Sequence, residues 1–381
     1  MRIAFYAPLK PPGHAVPSGD RRLARLLIQA LTEAGHRVDL ASRFKSRDAL
    51  GEPERQIRLA ALGERLALRY LRRVHSGKTA RPDLWFTYHL YYKAPDWIGP
   101  HIAYELGIPY VVAEASLAGK RAGGKWDLGH RATVAALAQA AAVIGLNPAD
   151  KEGVIPALAD AGRWTDLKPF LDRAPFDRAH AIRDTTRAAL ARQHRIDPAL
   201  PWLIVIAMMR EDVKRESYHM LGAALRHCLD HPFHLLVAGD GKARADVAAA
   251  LAPLGSRVTY LGAVDQDLVP EILAAADLFT WPAIGEAIGM ALLEAQAAGL
   301  PVVAGQSGGI SSIVARGATG LLTPPGDAEK FAAAVKALLD EPARRHAMGQ
   351  EARRKIAAEH DLVQAAQRLD AVLTGLISRH S

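Results

Sequence analysis

Short apolar runs alternate with longer amphipathic stretches almost from one end of this chain to the other. Such alternation calls for parallel strands joined by helices, because a parallel connection needs a dozen or more residues and a helix supplies them. Strands are expected in the first half at Arg2–Ala7, His36–Ala41, Leu84–Tyr88, Pro109–Ala113 and Val143–Leu146. In the second half they fall at Trp202–Ala207, His234–Val237, Val258–Leu261, Leu278–Trp281 and Pro301–Ala304. Helices are expected at Asp20–Ala34, Pro53–Val74, Trp97–Leu106 and Thr133–Ala141, with closing helices at Asp327–Leu339, Pro342–Ala358 and Leu362–Ile377. The alternation pauses around Leu167-Lys-Pro-Phe-Leu-Asp172. The expected class is therefore α/β, with two Rossmann-like, doubly wound parallel-sheet domains at 1–168 and 169–360. A helix in 361–381 is expected to pack back on the first domain. Two such domains facing one another place a cleft at their strand C-termini, where these sheets bind ligands.

A length of 381 residues, half of them hydrophobic, suffices for two cores. The single cysteine, Cys228, excludes an intramolecular disulfide and a cysteine-rich metal site. It is expected to pack within a helix, in a reducing, cytoplasmic setting. Met1-Arg-Ile-Ala-Phe-Tyr-Ala-Pro8 reads as a first strand rather than a signal peptide, and the longest near-apolar run, Ala135–Leu146, is too short to span a membrane. A formal charge of +8 favours anionic partners such as nucleotide phosphates or acidic lipid. Nothing resembles a nucleic-acid-binding module, so no nucleic acid is expected.

The most informative stretch is Trp281–Ala304, WPAIGEAIGMALLEAQAAGLPVVA, which reads as strand end, loop, helix and strand. Glu286 and Glu294 lie eight positions apart; were all eight helical they would sit roughly 12 Å apart. That is about the ribose-to-sugar distance in an extended nucleotide-sugar. Glu286 precedes a helix N-terminus, whose free N–H groups suit a pyrophosphate. Carboxylates accept hydrogen bonds from hydroxyls, as gripping both ends of such a donor requires. Read alone, the two acids fit equally well as solvated residues of an amphipathic helix, although Glu294 sits in an apolar run where an unpaired charge is costly.

The surrounding pieces raise the functional reading. They are Leu235-Leu-Val-Ala-Gly-Asp-Gly241, Val258-Thr-Tyr-Leu-Gly262, Ala275–Pro282, Gly308-Gly309 and Gly320-Leu-Leu-Thr-Pro-Pro-Gly-Asp327. In their order and spacing the second half closely resembles glycosyltransferase family 4, retaining enzymes of the GT-B fold that use nucleotide-sugars such as those of UDP and GDP; the first half resembles it loosely. The resemblance implies that Glu294 holds the donor ribose and Glu286 contacts the donor sugar. Ala287-Ile288-Gly289 stands where the family has Gly-Phe-Gly, and Ser312 stands where it has a further glutamate. Arg210 and Lys214, in the loop after Trp202–Ala207, match the pair that binds the donor diphosphate; Arg215 is an alternative to Lys214. An Arg fork and a Lys point charge stabilise a leaving diphosphate without a metal. Backbone N–H groups near Gly239, Gly308 and Gly309 are expected to help. Neither a cofactor nor a metal is implied; the lone Asp-x-Asp, Asp265-Gln-Asp267, reads as a metal site or as caps for the following helix.

Pro17-Ser-Gly-Asp20 resembles the family's first glycine-rich loop, with Gly19 alone of its usual pair, and it lacks the Gly-x-Gly-x-x-Gly pattern of dinucleotide-binding dehydrogenases. On the acceptor side, His89 and Lys93 lie in the aromatic stretch Trp85–Lys93, which suits stacking on a sugar or plain packing. Glu114 replaces a histidine common in the family, and Lys120 and Arg121 follow in a loop suited to an anionic acceptor. A glycan or lipid-linked acceptor is implied; the alternatives are a sugar-nucleotide epimerase of the same fold, which needs no acceptor, and a non-catalytic protein of that fold that binds a glycan or nucleotide. Residues 43–81 hold eleven Lys/Arg against four acids, with Arg58, Arg65, Arg69 and Arg72 in one helical stripe beside Leu59, Leu62, Leu66 and Tyr70. That pattern belongs either to an ordinary solvated helix or to one lying on an anionic membrane surface.

Overall fold

The structure is a computed structural model that describes residues 1–15 and 18–380, so Pro17 of the expected glycine loop lies outside the described residues. The chain divides into two compact units: residues 1–168 together with the helix Leu362–His380, and Pro169–Asp361.

Unit 1 is built on strands β1 (Arg2–Tyr6), β2 (Arg37–Ser42), β3 (Leu84–Tyr91), β4 (Tyr110–Ser116), β5 (Ala142–Gly145) and β6 (Trp164–Asp166). All are parallel, in the order β2-β1-β3-β4-β5-β6. Central residues such as Leu84, Trp85, Val111 and Val112 are fully enclosed, as a sheet covered by helices on both faces requires. Edge strand β2 carries Arg37 and Asp39 and is half exposed, which discourages pairing with a foreign edge. Asp96 is the polar hub of the unit. Its carboxylate accepts the N–H groups of Ile98 and Gly99 at 2.9 and 2.8 Å, starting the helix Gly99–Leu106, and the Thr87 hydroxyl at 2.5 Å. The helix Leu362–His380 buries Leu362, Ala365, Ala366, Leu369 and Leu373, one stripe at helical spacing, and packs on the helix Gly19–Glu33. Each such leucine contributes about 1.5–3 kcal/mol of burial.

Unit 2 holds β7 (Trp202–Ile206), β8 (His234–Ala238), β9 (Val258–Gly262), β10 (Leu278–Trp281), β11 (Val302–Gly305) and β12 (Gly320–Thr323). They are parallel in the order β12-β11-β10-β7-β8-β9. Cys228 is buried on the helical layer, with its thiol near the carbonyls of Ala224 and Ala332.

Several expectations are corrected. β3 and β4 continue past Tyr88 and Ala113, so His89 and Glu114 lie inside strands rather than after them. Both residues adopt left-handed backbone, with φ of 63° and 61°, after which pairing resumes at Leu90↔Ala115. The helix expected from Thr133 begins at Asp127. Its first turns lack apolar periodicity, but Gly129 lets the helix approach the backbone of Tyr92, whose carbonyl oxygen lies 2.2 Å from where a Cβ would be. Strands β6 and β12 and the helices Ala174–Ala181 and Arg183–His194 carry no strong periodic signal and were not expected. Asp265 closes a turn by accepting Asp267 N–H at 3.4 Å, and the helix Val269–Ala275 has Leu268 as its cap with no side-chain bond. The expected acidic cap is not made.

Candidate functional site

In unit 2 the chain leaves β7, adds β8 and β9 on one side, then returns to lay β10 on the other. The carboxyl ends of β7 and β10 thus form the topological switch point, where an open α/β sheet leaves a crevice. The loop after β7 carries Arg210 and Lys214; the loop after β10 carries Glu286. Lys214 Nζ makes an ion pair with Glu286 Oε2 although 72 positions separate them in the chain. Trp281 Nε1 donates to the same oxygen at 3.3 Å, and Lys214 Nζ stands 5.3 Å from the Trp281 ring centroid. Asp212 caps the helix Val213–Arg226 by accepting Lys214 N–H at 2.9 Å, which fixes where the lysine departs. Arg215 turns away to Asp246 at 3.5 Å, so Lys214 is the residue that meets Glu286. Arg210 is half-buried, its guanidinium 3.2 Å from the Met208 sulfur, and among the described residues no carboxylate pairs with it.

Turn chemistry shapes the Glu286 loop. Gly308 has φ of 50°, and a Cβ there would lie 2.0 Å from the Glu286 carbonyl oxygen, so only glycine fits. Ser307 Oγ accepts Glu286 N–H at 3.2 Å and donates to the Ala283 carbonyl at 2.5 Å. Gly309 N–H donates to the Ala287 carbonyl at 2.8 Å. In this structure that N–H serves the loop. Ala287 and Ile288 lead to Gly289, the N-cap of the helix Met290–Ala297, on which Glu294 is 6% exposed. Gly239 directly follows β8.

Unit 1 has its own switch point between β1 and β3. Gly19 opens the helix after β1, with Ser18 Oγ accepting Arg21 N–H at 3.2 Å. Asp20, in that first turn, places Oδ1 3.2 Å from His89 Nδ1. His89 and Glu114 hold equivalent places in the paired strands β3 and β4, both in strained left-handed backbone. Glu114 is buried, with Oε2 lacking a hydrogen-bond partner among the described residues. Burial pushes its pKa up to about 7 against the pull of His89, with Asp150 and Asp20 adding to the rise. For His89 burial acts downward, but the hydrogen bond and charge of Asp20, with Glu114 and Asp150, outweigh it and raise the pKa. Asp150 is raised by burial too, opposed by Ser116 and His89. Perturbed acid and base groups gathered in one place are a mark of functional sites. Farther along the same side, Lys93 and Arg121 stand over the rings of Tyr92 and Trp126, and Lys120 is exposed in the turn Gly119–Arg121.

Residues 199–355 match the family described as glycosyl transferases group 1. This segment is a group 1 glycosyltransferase domain. Over 113 residues, 29% of this chain and 29% of the relative, it is 38% identical to the 2-deoxystreptamine glucosyltransferase of Streptomyces kanamyceticus. Over 146 residues, 36% of this chain and 38% of the relative, it is 36% identical to a GDP-mannose-dependent monoacylated alpha-(1-6)-phosphatidylinositol monomannoside mannosyltransferase of Corynebacterium glutamicum. The chain thus spans well under half the length of these two relatives. HepE of Anabaena, solved in complex with UDP, superposes with a TM-score of 0.74 over 99% of this chain and 100% of HepE at 19% identity, which shows the fold. That fold is GT-B: two units, each with a six-stranded parallel sheet flanked by helices.

Within the glycosyltransferase domain, sequence reasoning missed Trp281 and Ser307 as site residues, and in unit 1 it missed Asp20 and Asp150. Ser307 immediately precedes the Gly308-Gly309 pair, and Asp20 follows Gly19, so adjacency was the available signal. Asp150 carried none.

A cavity of about 590 Å³ lies elsewhere in unit 2, lined by Arg173, Asp177, Arg183, Asp277, Arg345 and Arg353 among others. Arg173 and Arg353 both pair with Asp177, at 3.2 and 2.8 Å, and Arg183 and Arg187 both pair with Asp277, at 2.7 and 3.0 Å. The Asp277 pairs tie a helix to the start of β10 and the Asp177 pairs join helices, away from the strand ends where ligands bind, so size alone does not make it the functional site. In the helix Pro53–His75 of unit 1 the arginine stripe is exposed, but of its expected apolar companions only Leu62 is. Leu66 and Tyr70 pack on the core, Tyr70 edge-on to Trp85 at 5.6 Å. Ile57 and Leu68 are the other exposed large apolar residues of that helix. Among the described residues no helix is long and apolar enough to cross a membrane.

Proposed function

We propose that this chain transfers a sugar from a nucleotide-diphosphate-sugar to an acceptor hydroxyl, with retention at the anomeric carbon. The observation that carries the reading is the Lys214–Glu286 pair at the β7/β10 switch point of a group 1 glycosyltransferase domain. Lys214 exchanges part of its bond with Glu286 for the donor diphosphate, joined by Arg210, and both stabilise the charge that grows as the sugar–oxygen bond breaks. Glu286, freed, takes hydroxyls of the sugar, and Glu294 takes those of the ribose. Backbone at Gly239, Ala287, Ile288, Gly289 and Gly308 lines the donor, and Gly19 leaves open space beside its helix start for a ligand's approach. The acceptor oxygen bonds to the anomeric carbon on the face the diphosphate leaves, and the acceptor's proton passes to a diphosphate oxygen. With two cations in place, the transfer is assigned no metal and no cofactor.

His89 and Glu114 act on the acceptor side by hydrogen-bonding its hydroxyls, with Asp20 holding the imidazole. UDP-, GDP- and ADP-sugars all remain candidate donors; the Corynebacterium relative is named for GDP-mannose and a phosphatidylinositol mannoside. A glycan or a lipid-linked sugar fits as acceptor. The exposed face of Pro53–His75, with Arg58, Arg65, Arg69 and Arg72 between Ile57, Leu62 and Leu68, suits peripheral contact with an anionic membrane from the cytoplasmic side. Vesicle flotation with and without acidic lipid tests that part.

The deciding experiment is a thermal-shift screen against UDP, GDP, ADP and their sugar conjugates, with and without magnesium. One nucleotide at about 100 times its Kd stabilises by about 2.7 kcal/mol, or about 5–10 °C for a unit of this size. No shift with any nucleotide at millimolar concentration overturns the reading.

A further inference from the structure

Just beyond the carboxyl end of β3, unit 1 gathers Lys93, Arg121 and Lys125 around Tyr92 and Trp126, with Arg47 beside Tyr91 and near enough for its charge to act on Lys93. Lys93 Nζ lies 4.5 Å and Lys125 Nζ 4.4 Å from the Trp126 ring centroid, and the Arg121 guanidinium lies 5.1 Å from that of Tyr92. Tyr92 and Trp126 stand edge to face at 5.5 Å, so one aromatic wall holds three cations.

The wall is anchored. Trp126 is buried, and its Nε1 donates to the Asp48 carbonyl at 3.1 Å. Gln56 Nε2 donates to the Lys125 carbonyl at 2.7 Å, and the same side chain accepts Gly129 N–H at 3.3 Å. The nearby carboxylates are already committed. Asp48 accepts the N–H groups of Leu50 and Glu52 at 3.2 and 2.9 Å, and Asp127 holds Gly123 N–H and Arg131.

The charge balance is unusual for a structural cluster. Among the described residues none of the four cations forms an ion pair with a carboxylate, and Arg121 Nε is buried without a hydrogen-bond partner. Burial, then the charges of Arg121, Arg47 and Lys125, hold the pKa of Lys93 down, with Asp48 the opposing influence. Like charges held together in a rigid frame oppose folding, and a bound anion relieves them. The large cavity of unit 2 shows the opposite design, in which each carboxylate takes two arginines.

We infer that this cluster is the seat for a phosphate ester carried by the acceptor, so that the acceptor is a phosphorylated polyol or sugar rather than a neutral one. The inference deepens the acceptor half of the proposed transfer and rests on that reading for the word acceptor; the anion seat itself does not depend on it. Several donors converging on one oxyanion is the arrangement that phosphate recognition favours, with Arg121 and Arg47 supplying planar forks and the two lysines point charges. The phosphate belongs either to a soluble ester or to a phospholipid headgroup, and both present the same group to these side chains.

The test titrates the full chain with inorganic phosphate and glycerol 3-phosphate, using glycerol as the neutral control. Both phosphates are expected to bind at least about 10-fold more tightly than glycerol, less so at high salt, and the double variant Lys93→Gln/Arg121→Gln to lose about 10-fold or more. Lys125→Gln, on an exposed side chain, gives a smaller loss in the same direction and stands in should the double variant fold poorly. Equal binding of ester and glycerol, or ester binding unchanged in both variants, overturns the inference. Vesicles of phosphatidylcholine with and without phosphatidylinositol separate the two sources: variant-sensitive binding to the second kind alone assigns a headgroup, and binding of the soluble ester alone assigns a soluble acceptor. UDP and GDP titrations run alongside. A chain that binds nucleotide but not phosphate sinks this inference and leaves the transferase reading standing; one that binds phosphate but no nucleotide does the reverse.

Discussion

The two switch points of this molecule are built on similar sheets and handle charge in opposite ways. At β7/β10 the opposite charges of Lys214 and Glu286 meet directly, and the surrounding loop is shaped by backbone, with Ser307 and Gly308 clamping Glu286 through main-chain contacts. At β1/β3 the titratable groups are buried and perturbed, with Glu114 pushed up to about 7, and farther along the strand ends a set of cations has no carboxylate partner among the described residues. A glycine-shaped loop with one paired charge suits a ligand whose diphosphate is common to many donors. Idiosyncratic side chains in strained backbone suit the ligand that differs from one enzyme to the next.

Breaking the paired side is expected to have the largest effect. Lys214→Ala should lower kcat/KM by about 10²–10³ and abolish the nucleotide-induced thermal shift, as loss of a positioned charge at a leaving group does. An unchanged shift would remove Lys214 from the donor site. Glu294→Ala comes next: losing charge-assisted bonds to ribose hydroxyls costs about 1.5–3 kcal/mol, or roughly 10–150-fold in nucleotide affinity, with the fold kept. Turnover at the original rate would refute the assignment.

Gly308→Ala tests the backbone half of the comparison. With φ of 50° and a Cβ only 2.0 Å from the Glu286 carbonyl oxygen, the variant should lose about 1–3 kcal/mol of stability in a denaturant melt and weaken donor binding as Glu286 shifts. A fully stable variant with normal affinity would mean that the loop carries no constraint.

For the perturbed side the expected effect is one of pH. A carboxyl whose pKa rises from 4.5 to about 7 on folding binds its proton more tightly when folded. Its contribution to stability is therefore present at acid pH and declines as pH climbs from near 4.5 through 7. His89, also raised, loses its contribution in the same direction as pH passes its folded value. Glu114→Gln should accordingly gain on the parent protein by about 1–3 kcal/mol between pH 5 and pH 8. Parallel melting curves across that range would show Glu114 ionised normally if the two proteins track one another. The smallest effect is expected from Arg215→Ala: its exposed pair with Asp246 is worth less than about 1 kcal/mol, and donor affinity should not move.

Much of the glycosyltransferase domain was legible in the sequence because its strands are apolar throughout and its loops are marked by glycine and proline. Glu286 and the Arg210–Lys214 loop lie past strand ends that the pattern locates to within a residue or two, and Glu294 lies on the helix that the pattern places between β10 and β11. β12 and β6 were not legible: Gly320–Thr323 has only two apolar residues, set between a glycine and Pro324-Pro325-Gly326, and Trp164–Asp166 is three residues, too short to show a period. The histidine and glutamate of unit 1 were read as lying beyond their strands because nothing in the letters announces a left-handed residue inside a strand. Such conformations persist only when the surrounding structure over-determines them.

The sequence alone determined the layering, since apolar runs buried on both faces have no stable alternative to a helix-covered parallel sheet. It also determined the candidate charges, because a Lys or Glu at a strand end is visible wherever the strand is. Tertiary structure alone decided partnership. Lys214 rather than Arg215 meets Glu286, Gly309 spends its N–H on Ala287, and three basic residues from two loops share one aromatic wall. Those outcomes depend on distances between segments far apart in the chain, and only a closed fold sets such distances.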